Sequence, residues 1–184
     1  MQSVFWRKFR AVFLIYWQET LAYKAATIIW VLADTQTALI MPAIWLAAYG
    51  GSGRIFGMDP GTLVTYYLTT LLLSQFIVCH LMWDIGFEIR EGMFTGQLLR
   101  PFSIFWLNAA RNTSWRVIKL FLFIPFVILF LIAYGSKLGH TPIHFTPYFF
   151  IAVLLAHVLS FVMAYSLSLT ALWTTEFMSI FRMY

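Results

Sequence analysis

Pro147-Tyr148-Phe149-Phe150-Ile151-Ala152-Val153-Leu154-Leu155-Ala156-His157-Val158-Leu159-Ser160-Phe161-Val162-Met163-Ala164-Tyr165-Ser166-Leu167-Ser168-Leu169-Thr170-Ala171-Leu172-Trp173 holds no Asp, Glu, Lys or Arg. About 20 mostly apolar residues suffice to cross ~30 Å of hydrocarbon. Backbone groups in lipid must find partners within the segment or within a closed barrel. This run is apolar on every face rather than at alternate positions, so it reads as a membrane-spanning helix. Three further runs of the same kind lie upstream, at 25–49, 61–83 and 117–134. Asp59-Pro60 and Thr146-Pro147 put a capping residue before a proline at the first helical position of two spans. Gly50-Gly51 and Gly135 close two others, and Pro42 and Pro125 fall inside spans, where they are expected to kink them.

The whole composition agrees. Hydrophobic residues make up 61% of the chain and charged residues 10%, against about 45–50% and about 25% in soluble domains. So few charges cannot cover a water-exposed surface, which excludes a soluble enzyme, a disordered chain and a free-standing nucleic-acid binder. The net charge of +5 has another source. Arg7, Lys8, Arg10, Lys24, Arg90, Arg100, Arg111, Arg116, Lys119 and Arg182 fall on one side of the predicted topology, and only Arg54 and Lys137 on the other. That asymmetry predicts a cytoplasmic N-terminus with short outer loops near 50–60 and 135–146. Cys79 is the lone cysteine, so no internal disulfide forms.

Residues 1–24 carry Phe5, Phe9, Val12, Phe13 and Tyr16 on one helical face, with Trp17 at its edge and Arg7, Lys8, Ala11 and Gln18 opposite. The early charges exclude a signal peptide. An amphipathic helix lying in the membrane interface fits this pattern. A helix whose aromatic face packs on the rest of the protein fits it too.

Catalytic and metal patterns are missing. No phosphate-binding G-x-x-x-x-G-K-[ST] occurs, and Gly50-Gly51-Ser52-Gly53-Arg54 lacks the lysine. His80, His140, His144 and His157 have no ligand spacing. Asp34 lies roughly 13 Å along the first span at 1.5 Å per residue. A charge at that depth costs at least about 2.5–3.5 kcal/mol. Asp34 therefore faces a substrate path or a basic partner, unless the span starts later. Ala152, Ala156, Ser160, Ala164 and Ser168 recur every fourth residue. Such a stripe permits close helix packing, with a substrate groove lined by Ser160 and Ser168 as the alternative.

Charges concentrate between the second and third spans, in Asp84-Ile85-Gly86-Phe87-Glu88-Ile89-Arg90-Glu91-Gly92-Met93-Phe94-Thr95-Gly96-Gln97-Leu98-Leu99-Arg100-Pro101. This is too polar to span and too apolar for a plain linker. A short amphipathic helix that binds a soluble partner and a solvated loop both fit.

Here the chain resembles the ABC-2 type family of ABC transporter permeases, in particular the bacterial half-size permeases for drugs and natural products. The resemblance is carried by Glu88-Ile89-Arg90-Glu91-Gly92, Gln97-Leu98-Leu99-Arg100-Pro101 and Phe105-Trp106. Tyr23-Lys24-Ala25, Tyr49-Gly50-Gly51 and Trp173-Thr174-Thr175-Glu176 support it. It implies an all-α integral membrane permease of the type V exporter kind: an interfacial elbow helix at 1–24, four transmembrane helices where the family usually has six, and a cytoplasmic coupling segment at 84–116. The chain is accordingly expected to be C-terminally incomplete, as a fragment or a shortened product.

The resemblance further implies a non-catalytic subunit of the inner (plasma) membrane, paired with a second permease subunit, identical or homologous, and docked on a cytosolic ATPase that binds ATP and Mg. Glu88, Arg90, Glu91 and Gly92 would lie at or near that interface, and Leu98, Leu99 and Pro101 would continue the segment. No cofactor in this chain and no nucleic-acid partner are expected. The implied activity is export of a hydrophobic or amphipathic compound. A membrane-embedded enzyme acting on lipids or isoprenoids would need an acidic constellation, and only Asp84, Glu88 and Glu91 cluster. A channel or scaffold subunit is the other alternative.

Overall fold

The computed structural model describes residues 2–49, 54, 57–138 and 146–174. Among these the chain is helical, without β-strands. The helices are α1 (Gln2–Ala22), α2 (Lys24–Tyr49), α3 (Pro60–Ile77), α4 (Leu81–Arg90), α5 (Phe94–Leu98), α6 (Ile104–Tyr134), α7 (Pro147–Leu169) and α8 (Ala171–Thr174), with a 3₁₀ turn at Gly135–Lys137. The expected features at Gly50, Gly51, Ser52, Gly53, His140, His144, Thr175, Glu176 and Arg182 lie outside the described residues.

Three stretches are long and apolar enough to cross a membrane: Ala25–Tyr49, Ile104–Lys137 and Pro147–Thr174. Pro60–Ile77 and Leu81–Arg90 make a fourth when taken together as one broken span. The protein is an all-helical, multi-pass membrane protein.

Local chemistry explains several ends. The Asp59 carboxylate accepts from the backbone N–H groups of Gly61 and Thr62, both at 3.1 Å, and from the Thr62 hydroxyl. This caps α3, whose first residue is Pro60. α7 starts at Pro147 and α6 gives way to the 3₁₀ turn at Gly135. Pro42 and Pro125 are carried inside α2 and α6.

Two boundaries depart from the apolar runs. The run 61–83 is not one helix: α3 ends at Ile77 and α4 begins at Leu81. The helix holding the third run begins at Ile104 rather than Val117. Hydropathy reports where side chains are apolar, not where a helical ladder starts or stops. Asn108, Arg111 and Asn112 are polar, yet they continue the ladder, each with a bond to a side chain of another segment.

The chain forms two units. One comprises Thr20–Phe76 and Arg116–Phe150. Its core is Ala38, Val64, Leu68, Leu71, Phe123 and Phe130, from α2, α3 and the later part of α6. Burial against other apolar groups gains little in lipid, so contact packing and polar bonds carry the specificity. Here Trp45 Nε1 donates to the Tyr67 hydroxyl at 2.9 Å, and the Tyr134 hydroxyl donates to the Leu39 carbonyl at 2.8 Å. Lys119 Nζ meets Asp34 Oδ2 at 2.5 Å.

The described part of the other unit comprises residues 2–19, 77–115 and 151–174. Its core is Cys79, Leu81, Ile85, Phe94, Phe161 and Ala164. Phe105 meets Phe161 and Tyr165 edge-on, each at 5.4 Å between centroids, contacts worth about 0.5–1.5 kcal/mol each beyond burial. The small-residue stripe of α7 enters this core only in its second half. Ala164 and Ser168 are buried, Ala156 and Ser160 are half-buried, and Ala152 is exposed. The remaining α7 surface is large and apolar, with Tyr148, Phe150, Leu154, Leu155, Leu159 and Met163 facing outward, as a helix bathed in lipid requires.

The aromatic face of α1 packs on its own unit. Phe5 meets Trp106 at 5.2 Å and Phe102 at 5.8 Å. The helix remains amphipathic, with Val4, Leu14, Ile15 and Leu21 exposed beside Arg7 and Arg10.

Candidate functional site

The charged stretch after Trp83 forms a helix, a turn and a short helix. α4 ends at Arg90, where the Glu91 N–H donates to the Phe87 carbonyl at 3.0 Å and the Gly92 N–H to the Ile89 carbonyl at 3.1 Å. Gly92 has φ +73°, and nothing lies within 4 Å of where a Cβ would sit. Glycine is needed there for its backbone, not for room. The reversal sets α5 directly after α4, with Phe94 in the core.

The turn sorts the polar residues into two groups. The inner group centres on Arg111, from α6. Its Nη1 donates to Glu88 Oε1 at 2.8 Å, its Nη2 lies 3.5 Å from Asp84 Oδ2, and its guanidinium sits 5.2 Å from the centroid of the Tyr16 ring. Gln97 Nε2 donates to the other Glu88 oxygen, and Asn108 Nδ2 donates to Gln97 Oε1 at 3.3 Å. Gln97 and Asn108 are buried, and the Glu88 side chain is 17% exposed. Burial raises the Tyr16 phenol above its ordinary pKa, with the Arg111 charge pulling the other way. A buried amide or carboxylate without partners would cost several kcal/mol. The network removes that penalty by giving both Glu88 oxygens a donor. Lys8 Nζ donates to the Pro101 carbonyl at 2.6 Å, which ties the loop after α5 to α1.

The outer group is exposed. Arg90 and Glu91 form a side-by-side ion pair at 3.2 Å, 53% and 47% exposed. Such a pair is worth about 0–1 kcal/mol, too little to explain its presence by stability. Arg90 also lies over the Phe87 ring at 5.5 Å. Phe87, Met93, Leu98 and Leu99 are all at least half exposed, Leu99 at 83%. The segment thus offers apolar anchors among charges, the composition of a recognition surface.

Of the residues singled out from the sequence, Arg90 and Glu91 pair with each other, and Leu98 and Leu99 are exposed. Glu88 is turned inward as a partner of Arg111, Gly92 makes the turn, and Pro101 contributes its carbonyl to Lys8. Asp34 meets Lys119. The Ser168 hydroxyl donates to the Tyr165 carbonyl of its own helix at 2.7 Å. Arg111, Gln97 and Asn108 were not anticipated from the sequence as a site. Their signal was the spacing Asn108–Arg111–Asn112, three polar residues on one face of a helix that turns wholly apolar further on. Among the described residues, no three of His, Cys, Asp and Glu come together in a way that could hold a metal ion.

No curated protein and no solved structure matches the chain. Residues 36–184 match the family described as "ABC-2 family transporter protein". That match takes in most of α2 and everything after it, including both polar groups of the segment 84–111. With its membrane-spanning helices and its charged hairpin between the second and third apolar runs, the chain belongs to the ABC-2 family of transporter proteins and is a transmembrane permease.

Proposed function

We propose that this chain is the permease subunit of an ATP-driven exporter and that residues 84–101 receive the stroke of a separate cytosolic ATPase. The observation that supports this reading is the sorting just described. Glu88 and Asp84 face Arg111, while Phe87, Arg90, Glu91, Met93, Leu98 and Leu99 are largely exposed. The ATPase, which holds ATP and Mg, grips the outer face. Motion of α4 and α5 then passes through Glu88 to Arg111 and so to α6, a helix that runs unbroken to Tyr134. A second permease subunit completes the path. The cargo is hydrophobic or amphipathic, the inner membrane is the site of action, and the N-terminus is cytoplasmic.

The acids that a membrane-embedded enzyme would need are engaged: Asp84 and Glu88 lie against Arg111, and Glu91 pairs with Arg90. The test is a membrane preparation carrying the permease with its ATPase. Replacing Arg90→Glu and Leu99→Asp together abolishes co-purification of the ATPase and substrate flux while the permease still accumulates in the membrane. ATP-dependent flux and ATPase recovery at wild-type levels in that variant overturn the reading.

A further inference from the structure

The break between α3 and α4 has no cause in its own residues. Ile77-Val78-Cys79-His80 contains neither proline nor glycine, the usual origins of a sharp interruption. Ile77 and Val78 are β-branched, but propensity differences of that size are routinely overridden by context. A helix that stops at Ile77 leaves its last carbonyls without donors from the ladder. In an apolar span water does not supply them.

Arg116 supplies them from α6. Its Nη1 donates to the Gln75 carbonyl at 2.9 Å and also to the Phe76 carbonyl. A cation at a helix C-terminus also meets the negative end of the helix dipole. The guanidinium takes two of the carbonyls that the ladder gives up at this end. On the far side of the break, the Cys79 Sγ lies 3.4 Å from Asn112 Oδ1, and Cys79 and Leu81 enter the core cluster with Ile85 and Phe94.

We propose that Arg116 is the positioning residue that holds the second span broken at 78–80, by capping α3 with side-chain donors in place of backbone ones. The inference stands apart from the reading of 84–101 as an ATPase site. Its consequence is that the segment after Val78 can begin a new helix at Leu81 instead of continuing α3.

Cys79 provides the readout, being the chain's single cysteine and buried. In membranes carrying the full chain, a neutral maleimide is applied and the rate of Cys79 alkylation is measured for the wild type, Arg116→Lys and Arg116→Met. Arg116→Met alkylates at least threefold faster than the wild type, because the uncapped end disturbs the packing around Cys79. Arg116→Lys, which keeps a charged donor, stays nearer the wild-type rate. Should Arg116→Met fail to accumulate, Arg116→Gln, with a shorter neutral donor, takes its place in the same comparison. A change below threefold, or a Lys variant as fast as the donor-poor one, overturns the proposal. Neither result depends on whether an ATPase binds.

Discussion

Glu88 and Asp34 each meet a cation from α6, but in different company. Glu88 shares Arg111 with Asp84, takes a further hydrogen bond from Gln97, and has the Tyr16 ring against the same guanidinium. Asp34 meets Lys119, whose side chain is only 4% exposed, within helices made of apolar runs. In the first region charge is spread over several groups near the polar segment of the chain. In the second it is concentrated on an ion pair among hydrocarbon side chains. A spread network tolerates loss of a member because the others re-pair. The second pair costs more to break, because the Lys119 side chain is almost wholly buried.

The largest expected effect breaks the concentrated pair. Lys119→Met leaves the Asp34 carboxylate without its cation and destabilises the protein by about 3–5 kcal/mol. The double variant Lys119→Met with Asp34→Asn recovers more than half of that loss. Denaturant unfolding in mixed micelles measures both. Equal losses in the single and double variants would show that the pair is not the unit of stability.

Removing the hub of the spread network comes next. Arg111→Met frees two acids and the Tyr16 ring, and loosens the hairpin locally rather than the whole protein. Trypsin then cuts after Arg90 roughly tenfold faster, equivalent to about 1.4 kcal/mol. Glu88→Gln keeps one acceptor oxygen for the Gln97 and Arg111 donors, leaves Arg111 its Asp84 partner, and gives a smaller change in the same assay. Cleavage at the wild-type rate in Arg111→Met would remove Arg111 from its central place.

The outer face sharpens the contrast from the other side. Arg90→Ala or Leu99→Ala changes stability by no more than about 0.5 kcal/mol, as surface positions do, and weakens ATPase recovery. A stability loss as large as that of Arg111→Met would mean the outer face is part of the fold.

The smallest effect concerns a carboxylate held by a helix cap. Thr62, through its hydroxyl and its backbone N–H, holds the Asp59 carboxyl below its ordinary pKa. A depressed native pKa means stability that is present above the unfolded pKa and lost as pH falls through the native one. The cap on α3 therefore weakens only below the ordinary aspartate range of about 4. Asp59→Asn keeps a side-chain oxygen acceptor and flattens this dependence. Melting temperatures at pH 6 and pH 3 for the two proteins check the sign.

The expected and observed features differ in an instructive way. The Asp59-Pro60 cap and the Pro147 start were legible because capping is local: the residues that make the bond are three apart in the chain. That charges and apolar residues mix between 84 and 101 was legible directly from the residues. The inward turn of Glu88 was not, because nothing in its neighbours along the chain distinguishes it from Glu91. Its partner Arg111 lies 23 positions away, on another helix. The early start of α6 was missed for the same reason, since Asn108 becomes acceptable in a helix only once Gln97 is beside it.

The amino-acid sequence by itself determined that this protein is helical and membrane-spanning, because a run apolar on every face satisfies its backbone in hydrocarbon as a helix and lacks the alternation of a closed barrel. It also determined where charge collects, because ions avoid that run. Only the tertiary structure decided which of those charges the fold consumes and where the second span is cut. Those outcomes depend on donors brought from distant helices, Arg111 to Glu88 and Arg116 to the carbonyls of Gln75 and Phe76.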